Sequence, residues 1–217
     1  MNKKIIIFDL DGTLLNTLED LTDSLNYMLS QFNYPQKNIE QVQNYVGNGV
    51  YKLIERAIPD GKLNDNFDKC VEAFKQHYKE NMYNKTSLYN GIEQMLQKLK
   101  HRGFIVAVAS NKFDLAVKEL CFKYFNGLID YANGENENLG IKKKPSPDIV
   151  INILKQYNLS AQEAIYAGDS EVDIQTAANC NIDCISVSWG FKTKEYLLQN
   201  GAKNIIDKPE EIFNYIK

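Results

Sequence analysis

The sequence lacks a charge excess of either sign and lacks any long apolar run. Its 217 residues carry 25 Lys and Arg against 28 Asp and Glu, a formal net charge of −3. No long basic stretch stands out, so charge gives no reason to expect a nucleic-acid partner. No apolar segment approaches the roughly 18 residues that span a bilayer. The start, Met1-Asn2-Lys3-Lys4, leads into only a short apolar run before Asp9, whereas a signal peptide needs a longer one and a small-residue cleavage site. The expectation is a cytoplasmic protein with no membrane partner and reduced thiols. Cysteine is scarce: Cys70, Cys121, Cys180 and Cys184. The last two are wrongly spaced for a C-x-x-C motif and have no histidine nearby, so core packing is expected of all four. The two histidines, His77 and His101, stand apart on helical stretches. No heptad or broad apolar stripe marks a partner surface, which leaves the oligomeric state open.

What is present reads as an α/β protein. Apolar residues make up 44% and charged residues 24%, an ordinary globular balance. The length suits one well-buried core, or a core domain carrying a smaller insert. Ile5–Phe8 reads as a buried strand, as do Phe104–Ala109, Leu128–Tyr131 (more weakly), Ala164–Ala167 and Ile182–Val187. Helical spacing fills the gaps between them. Continuous apolar strands alternating with helices predict a doubly wound parallel sheet, covered on both faces. One stretch breaks the rhythm. From about Asn16 to Ser87 no strand is apparent, and Leu18, Leu21, Leu25, Met28, Leu29 and Phe32 follow helical periodicity, with Thr17 as N-cap. Phe67, Cys70, Val71, Phe74 and Tyr78 mark a second long helix. The predicted division is an α/β core of residues 1–15 and 88–217, with an all-helical insert of residues 16–87.

Three strand ends carry polar groups suited to one chemistry. The first ends at Asp9, with Asp11 two residues on; the second at Ser110-Asn111; the fourth at Gly168-Asp169, with Asp173 beyond. Open α/β sheets bind ligands outside the carboxyl ends of their strands, so Asp9 and Asp169 can meet in one crevice. Each residue taken alone also reads as a helix cap; agreement among three strand ends favours a site. Clustered carboxylates need protons or a cation to coexist. A set of hard oxygen ligands suits Mg2+, and the absence of Cys or His beside them argues against zinc. Lys144 adds positive charge. Pro145 pushes it out of helical geometry, and Ser146 is expected to cap a helix that has Pro147 in its first turn.

Asp9-Leu10-Asp11-Gly12-Thr13 resembles the first motif of the haloacid-dehalogenase-like superfamily. Ser110, Lys144 and Gly168-Asp169-Ser170-Glu171-Val172-Asp173 resemble the second, third and fourth motifs, in order. Ser188-Trp189-Gly190-Phe191 is similar to its C-terminal part. The resemblance implies that Asp9 is a nucleophile that forms an aspartyl-phosphate, and that Asp11 is the general acid and base. It further implies that Asp9, the Asp11 carbonyl and Asp169 hold Mg2+, and that Ser110 and the Asn111 amide donate hydrogen bonds to phosphate. Lys144 would clamp nucleophile and phosphoryl group, and Asp173 would orient Lys144 or a metal-bound water. The carboxylate at Asp11 favours phosphoryl transfer over dehalogenation, and Thr13 is expected to bond locally in its turn.

The helical insert resembles the cap of the phosphoglycolate-phosphatase-like branch. In Tyr45-Val46-Gly47-Asn48-Gly49-Val50, glycines on both sides of Asn48 allow close backbone approach to a small ligand; a plain turn between helices is the alternative. The implied activity is hydrolysis of a small phosphate monoester, with phosphoglycolate as first expectation. A β-phosphoglucomutase-like sugar-phosphate mutase or a pyrophosphatase uses the same aspartates. A non-catalytic binding module on this fold would have lost Asp9, Asp11, Lys144 or Asp169.

Overall fold

The structure is a computed structural model that describes residues 3–136 and 140–216. The chain divides into two compact units, Met1–Leu15 with Leu88–Lys217, and Asn16–Ser87.

In the first unit β1 (Ile5–Phe8) is four apolar residues, each no more than 2% exposed. Such a run is stable only as a strand covered on both faces. Its neighbours are β4 (Ile105–Phe113) and β6 (Ala164–Gly168), both parallel to it. β5 (Tyr131–Glu135) lies outside β4; β7 (Asp183–Val187) and β8 (Ile205–Ile206) extend the other side. Among the described residues the six strands run in the order β5-β4-β1-β6-β7-β8, parallel throughout. Alternating side chains point to opposite faces of the sheet. Ile5, Ile7, Ala107, Ala109 and Tyr166 cluster with Ile149 and Ile153 of α7 (Asp148–Gln156) and with Ala177 of α8 (Glu171–Asn179). Helices α5 (Ile92–His101) and α6 (Asp114–Phe125) also pack on β4.

Several expectations shift. The third strand begins at Tyr131, where the expected Leu128–Tyr131 ends; it is an edge strand whose Asn133 and Glu135 hide its identity. β4 continues past Ala109 through an irregularity in its pairing with β5, to Phe113. β8 is two residues long and left no periodic trace. Helix α7 starts at Asp148 with Pro147 at the N-cap. Ser146 is not that cap, because its hydroxyl donates to the Asp148 carboxylate and its N–H closes a turn on Lys143. On α6 the buried face is Ala116, Val117, Leu120, Cys121 and Phe125, whereas Leu115 and Phe122 are exposed.

The second unit holds α1 (Leu18–Gln31), α2 (Ile39–Tyr45), α3 (Val50–Ala57) and α4 (Phe67–Asn81). α1 packs on α4, and Leu21, Leu25 and Met28 of the one and Phe67, Cys70, Phe74 and Tyr78 of the other are buried. Thr17 stands at the N-cap of α1 without a side-chain capping bond. Asp20, 1% exposed, accepts the backbone N–H groups of Lys85 (3.0 Å) and Thr86 (2.9 Å) and so fixes the returning chain. His77 stacks on Tyr27 and shares a hydrogen bond with Ser24. β2 (Leu15–Asn16) and β3 (Ser87–Leu88) pair where the chain passes between the units. All four cysteines are free; Cys70, Cys121 and Cys180 are buried and Cys184 is partly buried. Among the described residues no helix is long and apolar enough to cross a membrane.

Candidate active site

The carboxyl ends of β1, β4 and β6 bring the candidate residues together. Asp9 follows Phe8 directly, and its N–H is held by the Ala167 carbonyl at 2.9 Å. Asp169 follows Gly168, the last residue of β6. Asp9, Asp169 and Asp173 each offer a carboxylate oxygen within 4.8 Å of the others, and all three are buried. Lys144 Nζ lies 2.9 Å from Asp9 Oδ1 and 2.8 Å from Asp173 Oδ1.

Lone pairs separate the roles of the three acids. A carboxylate accepts about four hydrogen bonds. Asp173 Oδ1 receives Lys144 Nζ and the Tyr166 hydroxyl (3.0 Å), and Oδ2 receives Ser170 N–H (3.1 Å) and Ser170 Oγ (2.6 Å). Its capacity is filled, which makes it a brace for Lys144 and for the start of α8. Asp169 receives one bond on each oxygen, from Thr13 Oγ1 at 3.2 Å and from Phe191 N–H at 2.7 Å. Room for a cation therefore remains on Asp169 and Asp9. The Thr13 bond crosses the site to Asp169, rather than staying within its own turn as expected.

Electrostatics lead to the same place. Burial, with Asp173 and Asp11 adding to it against the pull of Lys144, lifts the Asp9 carboxyl to about 7. Burial, followed by Asp173 and Asp9, raises Asp169 well above the carboxylate range. Burial alone would pull Lys144 down, but Asp173 and Asp9 outweigh it and keep the ammonium charged. Carboxylates this hard to ionise mark a shortage of positive charge that a bound cation relieves. The all-oxygen donor set fits a hard divalent ion such as Mg2+.

Glycines let these groups approach. A Cβ on Gly12 would lie 2.4 Å from Asp169 Oδ2, one on Gly168 2.2 Å from Asp173 Cγ, and one on Gly190 2.2 Å from Asp169 Cβ. Ser110 is buried, and its hydroxyl accepts the Lys112 N–H at 3.3 Å. The Asn111 carboxamide clasps the Lys144 backbone in both directions, at 2.7 and 3.0 Å. That clasp fixes the Lys144 backbone beside the end of β4.

Two partners escaped the sequence reading. Tyr166 looked like one more apolar position of a strand, yet its hydroxyl accepts from Lys144 Nζ at 2.9 Å. Lys112, next to Asn111, reaches both oxygens of Asp11 at 3.0 Å. Lys142-Lys143-Lys144 drew attention instead, and nothing in the sequence pairs position 112 with position 11. In the helical unit, Gly47-Asn48-Gly49 joins α2 to α3 with φ of 106° and 82° at the glycines, backbone open to glycine but strained for other residues. Arg56 holds this loop, donating to the Tyr45 carbonyl at 2.7 Å and to Asn48 Oδ1 at 2.8 Å.

A doubly wound parallel sheet thus carries buried carboxylates and a lysine at its switch point, an arrangement with room for a cation. The family model of the haloacid dehalogenase-like hydrolases matches residues 6–187, and this chain belongs to that family. A phosphoglycolate phosphatase of Psychrobacter arcticus is 30% identical over 100% of this chain and 96% of its own length. One from Aquifex aeolicus is 32% identical over 87% of this chain and 86% of its own. A crystal structure from Lactobacillus delbrueckii subsp. bulgaricus, of a protein provisionally named phosphoglycolate phosphatase, matches with a TM-score of 0.93 and 34% identity over 100% of this chain and 99% of that one. The chain is accordingly a phosphoric monoester hydrolase.

Proposed function

We propose that the chain hydrolyses a small phosphate monoester, with phosphoglycolate as the first substrate to test, through an aspartyl-phosphate on Asp9. One observation carries the reading: a buried carboxylate lies at the switch point with Lys144 Nζ 2.9 Å away and Asp169 within ligand-sharing distance. Asp9, Asp169 and the Asp11 carbonyl would hold Mg2+, which supplies Lewis-acid neutralisation of phosphate oxygens when bound.

The remaining chemistry belongs to the chain. Asp9 attacks phosphorus, a P–O bond forms to its carboxylate, and the ester P–O bond breaks. Asp11 gives its proton to the leaving oxygen. Water then attacks the phosphoenzyme, its proton passes to Asp11, and inorganic phosphate and free Asp9 result. Lys144 balances the charge that gathers between nucleophile and phosphoryl group. Ser110 and the Asn111 main-chain amide are the hydrogen-bond donors for phosphate oxygens.

We assign the helical unit, residues 16–87, the role of cap, with Gly47, Asn48 and Gly49 as its substrate-selecting loop; the Arg56 bonds that hold this loop in one shape support the assignment. Four free cysteines fit a reducing, cytoplasmic setting.

The test is phosphate release from a panel of small phosphate esters, with and without Mg2+, by the wild type and by Asp9→Asn. Metal-dependent release by wild type and none by the variant is expected. Release by pure, non-deamidated Asp9→Asn rules out Asp9 as nucleophile. Interconversion of a sugar 1-phosphate and 6-phosphate without net phosphate release would identify a mutase instead.

A further inference from the structure

We infer that Lys112 is a positioning residue for the acid–base carboxylate, so that with a leaving group that needs no proton its effect falls on the second half of the reaction. The inference rests on the reading of Asp11 as acid and base. Both Asp11 oxygens lie 3.0 Å from Lys112 Nζ, a contact that fixes the location of the carboxylate and its rotation together. The Lys112 side chain is 5% exposed, against 20% for Asp11, so the partner that holds is the better anchored of the two.

The anchoring comes from the strand. Past Ala109 the β4–β5 pairing becomes irregular and resumes at Phe113. Within that irregularity Asn111 turns to the Lys144 backbone and Lys112 reaches Asp11. Gly134 of β5 allows it, because a Cβ there would lie 2.4 Å from the Lys112 carbonyl. One distorted strand end thus sets both lysines: Lys144 at the nucleophile and Lys112 at the proton-transfer group. Bulges that re-aim side chains beside active sites are a recurrent device.

The arrangement suits the moment after the first step. The proton has gone to the leaving alcohol, and Asp11 must stay in place as a carboxylate to receive one from the attacking water. Without Lys112 that carboxylate loses a contact to both of its oxygens, and misplacing a reacting group by about 1 Å costs on the order of a hundredfold.

The experiment separates the two halves. p-Nitrophenyl phosphate needs no proton on its leaving group, so nitrophenolate in the first turnover reports phosphorylation of Asp9, and steady-state release reports hydrolysis. For Lys112→Met the first-turnover rate is expected to stay within about threefold of wild type while the steady-state rate falls by about tenfold or more. Burst amplitude counts the folded, active sites, so partial misfolding does not mimic the result. Lys112→Arg, which keeps the cation, should recover part of the loss. In an Asp11→Asn background, Lys112→Met should change nothing further. Equal falls in both rates, no fall in either, or a further tenfold fall in the Asp11→Asn background would each overturn the assignment; the last would make Lys112 a direct phosphate contact. A wild type that releases neither nitrophenolate nor phosphate from any ester of the panel would overturn the phosphatase reading itself.

Discussion

Gly190→Ala isolates what the glycine cradle does. The added methyl would sit 2.2 Å from Asp169 Cβ, 2.6 Å from Asp169 Cγ and 2.4 Å from the Gly12 carbonyl. Carbon atoms rest at about 3.5–4.0 Å, so neighbours must retreat by more than about 1 Å. Neither neighbour yields easily. Gly12 is main chain at φ +81°, in the turn after β1, and Asp169 is held by Thr13 and by Phe191 N–H, the residue next to the substitution. Overpacking of this kind costs about 1–3 kcal/mol. Loss of the hydrogen bond to the Asp169 carboxylate adds about 1.5–3 kcal/mol where it breaks outright. A destabilisation of about 2 kcal/mol or more is therefore expected in urea unfolding. Displacing Asp169 should raise the Mg2+ concentration for half-maximal phosphate release by about 10–100-fold. Gly103→Ala is the control. Its φ is +79° but its Cβ would meet nothing within 4 Å, so it costs about 1–2 kcal/mol in backbone strain and leaves the metal dependence unchanged. A Gly190→Ala protein with wild-type urea midpoint and wild-type Mg2+ dependence would refute the cradle argument.

Lys144→Met removes the counter-ion of two buried carboxylates, Asp9 and Asp173. Activity should be lost, and metal-free stability should fall by about 3–5 kcal/mol as read by denaturant midpoint; an unchanged midpoint would contradict the charge balance described. A pH effect follows from Asp9, whose carboxyl is lifted to about 7. The folded chain holds that proton more tightly than the unfolded one. Its contribution to metal-free stability is thus complete below about pH 4 and lost as pH rises towards 7. Mg2+ needs the ionised form, so its stabilising effect grows over the same window. Thermal melts with Mg2+ and with chelator should differ more at pH 8 than at pH 5, and equal differences would count against the assignment.

Legibility in the sequence followed burial and periodicity. β1 and β6 stood out because strands covered on both faces must be apolar along their length, and the helical insert stood out because α1 and α4 repeat their apolar residues every three or four positions. Asp9, Asp11, Asp169 and Asp173 were visible because strand ends and helix starts fix where they fall in the chain. The edge strands were harder to see. β5 carries Asn133 and Glu135, and β8 is too short for a period. Ser146 has a capping residue's chemistry, but its hydroxyl donates to the Asp148 carboxylate instead. Tyr166 and Lys112 were not visible because their roles rest on partners far along the chain, Lys144 and Asp11, that no local pattern encodes.

The paired strands β2 and β3 have a consequence for how such a protein changes over generations. The excursion that begins at Asn16 and closes at Ser87 starts and finishes on hydrogen-bonded neighbours. A graft at that seam exchanges about seventy residues as a cassette and leaves the order of the parallel strands as it was. The helical unit and the parallel sheet can therefore be inherited, and engineered, as separate parcels.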